Sequence, residues 1–183
     1  MSNAYKFRNA DGLYFITSTV VGWIDVFTRD AYRNILLDSF KYCKENKGLE
    51  IFAWVLMTNH FHLIAAANGK NRLEHILRDL KKITSRRIVK VIIDNPQESR
   101  KDWMKYMFER FGKYNPNNTT YQFWQQDSHP IELWNTDVTK QKLDYIHNNP
   151  VKSGFVTEAA DYKYSIAIDY CGGKGLLDIS IWE

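Results

Sequence analysis

The stretch Ile51-Phe-Ala-Trp-Val-Leu-Met-Thr-Asn-His-Phe-His-Leu-Ile-Ala-Ala-Ala67 decides the fold. It is apolar almost throughout, but Thr58-Asn59 interrupts it with residues that suit a tight turn, Asn tolerating positive φ. Its two arms, Ile51–Met57 and His60–Ala67, are rich in β-branched and aromatic residues and read as a hairpin. Side chains of a strand alternate between two faces. Phe61, Leu63 and Ala65 therefore share the core side, and His60 and His62 share the other. Two imidazoles a few ångströms apart can hold one divalent cation. An isolated His-x-His pair is more often two partly exposed rings bonded to neighbours, and two imidazoles do not complete a metal site.

Working outward, Leu13–Ile24 reads as a strand. Ala31–Lys47 carries apolar residues at Ile35, Leu36, Phe40 and Cys43, a helical stripe that Gly48 ends. Leu73–Ile93 is a long amphipathic helix whose polar face includes Lys81, Lys82, Arg86 and Arg87. Residues 94–120 form an insertion between Asn95-Pro96 and the turn-rich Asn115-Pro-Asn-Asn-Thr119. Within it, Trp103, Met107, Phe108 and Phe111 mark a short helix. Tyr121–Gln126 reads as a further strand and Val138–Asn148 as a helix that Pro150 stops. The tail from Tyr162 reads as irregular packing. The order predicts an α+β fold of the ferredoxin-like or RRM-like kind. An antiparallel sheet carries packed helices, with a short helical insertion, and one domain spans 5–183.

The chain has 183 residues, ample for one core. No apolar run reaches the roughly 18–20 residues that span a bilayer. No basic segment leads into an apolar signal core, and the two cysteines make no disulfide framework. The expected location is the cytoplasm, with no membrane partner. The net charge is +4, but residues 70–113 hold 13 Lys and Arg against 6 Asp and Glu. That concentration fits either a surface facing a polyanion or a solvated helix face.

A second segment, Asp144-Tyr-Ile-His-Asn-Asn-Pro-Val151, offers what the histidines lack. Tyr145 and Asn149 stand four apart, one turn along a helix face. The Asn149 amide oxygen can be a third ligand, and two nitrogens with one oxygen leave positions open for phosphate and water. Such a site suits magnesium or manganese, although its nitrogens would also accept zinc or cobalt. A phenol of pKa about 10 is a weak nucleophile until its electrophile is activated. Beside a metal that binds non-bridging phosphate oxygens, Tyr145 can attack phosphorus in line. The bland alternative for Tyr145 is a core aromatic.

Together, Trp54-Val-Leu-Met-Thr-Asn-His-Phe-His-Leu-Ile64 and Leu143-Asp-Tyr-Ile-His-Asn-Asn-Pro-Val-Lys-Ser-Gly-Phe155 resemble the single-tyrosine HUH transposases of the IS200-like kind. The nearest branch is the REP-associated tyrosine transposases. Phe123-Trp-Gln-Gln-Asp127 and Tyr162-Lys-Tyr-Ser-Ile-Ala-Ile-Asp-Tyr170 resemble that branch too, so the likeness covers roughly 13–172. It implies that His60 and His62 bind a metal, that Asn149 is the third ligand and that Tyr145 is the nucleophile. The implied reaction is cleavage and transfer of single-stranded DNA through a 5′-phosphotyrosine, on substrates recognised as hairpins. Thr58 stands where the family commonly has proline, and the 94–120 insertion is longer than in compact members.

Lys81, Lys82, Arg86, Arg87 and Lys152 are the candidate phosphate contacts. Trp103, Tyr106 and Phe111 could stack on unpaired bases, with core packing the more economical reading of Trp103 and Phe111. His129 and His147 read as structural or substrate-facing. Two other functions remain compatible with the residues. One is a domesticated module that binds nucleic-acid hairpins without cutting them. The other is a phosphoesterase using metal-bound water. The sequence leaves open whether the protein is a monomer or a homodimer.

Overall fold

A computed structural model describes residues 7–115, 120–126 and 128–180. Residues 116–119, expected to turn, and Asp127 lie outside the described residues. Strand β1 (Tyr14–Thr19) leads to helix α1 (Asp30–Lys47), then β2 (Leu49–Leu56) and β3 (His60–Ala67). Helices α2 (Leu73–Asp94) and α3 (Lys101–Lys113) follow, then β4 (Ile131–Glu132), α4 (Thr136–Lys152) and the short α5 (Ala167–Tyr170). The sheet order is β2-β3-β1-β4, and every pairing is antiparallel. This is the ferredoxin-like arrangement expected from the sequence, an α+β sheet with helices packed on it.

Register assigns the faces. Thr17 opposes His62 and Thr19 opposes His60, while Ile16 opposes Leu63 and Ser18 opposes Phe61. A bulge at Phe52 shifts the register of β2, which puts Val55 opposite His62 and Trp54 opposite Leu63. The face carrying Phe61 and Leu63 meets the first two helices. The Phe61 ring lies 5.3 Å from that of Phe40 on α1 and 5.4 Å from Trp124, whose indole N–H donates to Thr84 on α2. Helix α4 packs on the opposite face, against β2 and β3. The histidine pair thus lies under α4, away from α1 and α2.

Four expectations change. Leu13–Ile24 is a strand only to Thr19, because a tight turn at Val21–Trp23 follows, with positive φ at Gly22 and Trp23. Tyr121–Gln126 is not a strand. It follows the end of β1 through a single bridge, Val20 to Trp124, and bonds such as Gln125 N–H to Thr19 O, while the fourth strand is Ile131–Glu132. Asn59 makes the hairpin turn without positive φ, which among the described non-glycine residues occurs only at Trp23 and His129. The turn is fixed from outside instead, by Phe27 N–H on Thr58 O and Val20 N–H on Asn59 O.

The fourth change concerns α4, which does not stop before Pro150 but runs through it to Lys152. Proline removes one internal bond, and the last turn is closed by Phe155 N–H on Pro150 O and Gly154 N–H on Val151 O, with Gly154 left-handed at φ 74°. That double bond around a left-handed glycine is the Schellman closure. It keeps Asn149 helical.

The insertion is joined to the body by a buried carboxylate. Glu98 accepts from Arg29, Tyr32 and Arg100 at 2.9–3.3 Å. On α3 the buried residues are Met104, Phe108 and Gly112, whereas Trp103 and Tyr106 are exposed. Trp103 is therefore not a core residue; its position on the helix turns it away from the face that Met104 and Phe108 bury. The exposed edge of β2 is covered by the tail: Leu56 N–H donates to Tyr164 O, and Ile166 N–H to Trp54 O.

Candidate active site

His60 opens β3, and the chain just before it determines which nitrogen carries its proton. The Asn59 amide nitrogen donates to Trp23 O at 3.3 Å and to Asp25 Oδ1 at 3.1 Å. Asn59 Oδ1 therefore faces His60 Nδ1, 2.6 Å away, and that nitrogen must be the donor. His60 Nε2 keeps its lone pair. The Asp25 carboxylate is held in turn by the Thr58 hydroxyl at 2.6 Å.

His62 is 4% exposed, and its Nδ1 lies 2.8 Å from Thr17 Oγ1. Its Nε2 is buried with no hydrogen-bond partner. A buried polar atom without a partner is costly and calls for an explanation. A lone pair aimed at a cation is one, if Nδ1–H donates to Thr17. Burial, reinforced by repulsion from His60 and Lys142, pushes the His62 imidazole down to about 3. Burial also lowers His60, partly offset by the Asp25 carboxylate. Both rings are neutral at neutral pH, the form a metal ligand requires. Their centroids are 4.8 Å apart.

Helix α4 brings the phenol to this pair. The Tyr145 ring stands edge-on to His62 at 5.1 Å and to Phe15 at 5.9 Å, and the residue is 41% exposed. It is thus half open to an incoming strand. Asn149 follows one turn later on the same unbroken helix and is buried. Among the described residues no group of three His, Cys, Asp or Glu side chains could hold a metal ion. Two neutral imidazoles on one sheet face, with the Nε2 of His62 unpartnered, fit a divalent cation.

The sequence of residues 24–122 matches the family described as IS200-like transposases. The chain belongs to the IS200-like transposase family. The match includes both histidines and ends before Tyr145. Among solved structures, the REP-associated tyrosine transposase bound to a REP hairpin is 20% identical, with a TM-score of 0.67. That likeness covers 100% of this chain and 98% of the other. A putative transposase from Deinococcus radiodurans R1 is 14% identical over 81% of this chain and 95% of its own, with a TM-score of 0.43. No curated protein matches the chain.

Within this transposase the basic residues of α2 lie across the sheet from the histidines. Lys82, Arg86 and Arg87 are exposed, but Lys81 is half-buried and donates to Gln125 O at 2.7 Å and Ser128 Oγ at 3.2 Å. Arg78, Lys81, Lys82 and Arg86 line a groove of about 870 Å³ whose far wall is residues 120–126 with Ser128. That segment borders β1, so the groove runs along the sheet edge between the two faces. Lys152 is exposed on the last turn of α4, on the same helix as Tyr145.

The sequence reading missed Lys142. Its Nζ lies 4.9 Å from the Phe15 ring centroid and 5.9 Å from that of Tyr145. The signal available was its position three residues before Tyr145, which puts both on one helix face. It also missed Trp23, exposed beside His60 at 6.2 Å.

Proposed function

We propose that this transposase cuts and rejoins single-stranded DNA beside a hairpin, forming a 5′-phosphotyrosine at Tyr145 with a magnesium or manganese ion held by His60, His62 and Asn149. The observation that carries the reading is the approach of the Tyr145 ring to His62, whose Nε2 is buried without a partner. The bound cation supplies a Lewis acid for the non-bridging phosphate oxygens. Tyr145 Oη forms the bond to phosphorus as the bond to the 3′ oxygen breaks, and the phenolic proton ends on that 3′ hydroxyl. The ester retains the energy of the broken bond, so rejoining needs no nucleotide cofactor. Lys142 offsets phosphate charge at the phenol, and Phe15 packs edge-on against the Tyr145 ring.

Lys82, Arg86 and Arg87 contact stem phosphates, Lys81 holds the groove wall, and Lys152 meets the strand close to Tyr145. A hairpin partner is supported by the REP hairpin in the similar structure. The substrate then lies along the groove, with its single-stranded flank crossing the sheet edge to the histidine face.

The test is incubation with a labelled hairpin that has a single-stranded flank, with manganese, followed by denaturing electrophoresis. The expected result is a covalent protein–DNA adduct, absent in Tyr145→Phe and, with DNA binding retained, in His60→Ala and His62→Ala. Cleavage without an adduct would assign the attack to water. Tight binding without cleavage would make the protein a binding module.

A further inference from the structure

We propose that Trp23 is a stacking platform for an unpaired base next to the scissile phosphate. The inference rests on the reading of the site as one that takes single-stranded DNA, and it concerns binding rather than the covalent step.

Val21–Ile24 is a tight turn closed by Ile24 N–H on Val21 O at 3.4 Å. Its two central residues, Gly22 at φ 62° and Trp23 at φ 55°, are both left-handed. Two positive φ angles in succession define a type I′ turn, whose central positions favour Gly and Asn. Gly22 suits its place, and a Cβ there would lie 2.8 Å from the Phe111 ring. Trp23 does not. A bulky residue in the left-handed region is a strained outlier. The same side chain is 62% exposed, and its indole makes no hydrogen bond among the described residues. Neither local conformation nor burial accounts for tryptophan here.

The turn is nonetheless held firmly. Asn59, which orients His60, also donates to Trp23 O at 3.3 Å. Phe111 of the insertion packs against Gly22 from behind. The indole projects edge-on beside His60, with centroids 6.2 Å apart. Among the described residues, the exposed aromatics Trp103, Tyr106 and Trp134 have no such tie to a site residue. A rigid, strained, solvent-facing indole at the mouth of a phosphate-handling site suits a nucleobase. Every base has a π face, so stacking is strong and tolerant of sequence. The free face of the ring is available to a strand whose phosphate reaches His60 and His62.

The test uses the cleavage-silent Tyr145→Phe protein as parent and a fluorescent thymidine oligomer of about 12 nucleotides as probe. A blunt-ended hairpin is the control. Added Trp23→Ala or Trp23→Gly should weaken oligomer binding about tenfold, the cost of losing one stacked base. Trp23→Phe should keep most of it, and hairpin binding should be unchanged. Trp23→Gly relieves the left-handed strain, so its melting temperature should equal or exceed the parent's. A merely structural tryptophan would give a lower melting temperature and unaltered oligomer affinity. Oligomer affinity in the Gly and Ala variants equal to the parent's, or no oligomer binding by the parent, would overturn the proposal. Failure of the wild type to form an adduct would overturn the phosphotyrosine reading instead, and leave this comparison intact.

Discussion

Asn59 does more for the site than turn the chain. Its amide nitrogen is committed to Trp23 O and Asp25 Oδ1, so its oxygen must accept from His60 Nδ1–H. Partners of this kind set the tautomer of a ligating histidine, and their loss typically costs about 10–100-fold in metal affinity or activity. Asn59→Ala should raise the manganese concentration needed for half-maximal cleavage by that factor while leaving affinity for a blunt-ended hairpin intact. Titration of cleavage against manganese checks this, and an unchanged midpoint would remove Asn59 from the site. The two histidines were legible because a strand's period of two is unambiguous once the hairpin is seen. Lys142 was not, because a lysine on an amphipathic helix reads as solvated until its side chain is found over the Phe15 and Tyr145 rings.

At the level of elements, the insertion and α4 show where local rules were overruled. Pro150 reads as a stop because its ring disfavours helix before it. The Gly154 closure, with its two backbone bonds, instead carries the helix past proline and keeps Asn149 in step with Tyr145. Leu13–Ile24 reads as one strand by composition, yet Gly22 and the Phe111 ring behind it turn the chain at Val21. Neither the packing of α3 nor the turn type is visible from residue preferences alone.

The tie between the insertion and the body has a pH signature. Burial alone would raise the Glu98 carboxyl. The Arg100 backbone N–H and the Tyr32, Arg29 and Arg100 side chains outweigh it and hold it below the ordinary carboxylate range. A folded-state pKa below the unfolded one gives stability that is present above the unfolded value, about 4.3 for Glu, and is lost as pH falls through the folded value. Thermal melts should therefore fall on the acid side of about pH 5. Glu98→Gln should lose about 1–3 kcal/mol at pH 7, the cost of weakening charge-assisted hydrogen bonds to arginines that stay partly solvated, and show a shallower acid decline. Equal melting temperatures for the two proteins at pH 7 would contradict the role given to Glu98.

The whole molecule divides its work between the two faces of one sheet. Helices α1 and α2 pack on one face, and α2 presents the basic groove at the sheet edge. Helix α4 lies on the other with Tyr145 above the histidines. The charge excess in residues 70–113 was legible in the sequence, but its placement across the sheet from the histidines required the register. If Lys82 and Arg86 each contact a phosphate, replacing both by Ala should reduce the slope of log affinity against log salt by about 2. An unaltered slope would put the stem elsewhere.

The central claim is that the phenol of residue 145 takes the DNA. The most direct measurement is mass spectrometry of the adduct after nuclease and trypsin digestion. The account predicts a nucleotide 5′-phosphate on the Leu143–Lys152 peptide, localised to Tyr145. A nucleotide on any other tyrosine, or cleaved DNA with no modified peptide, would contradict it.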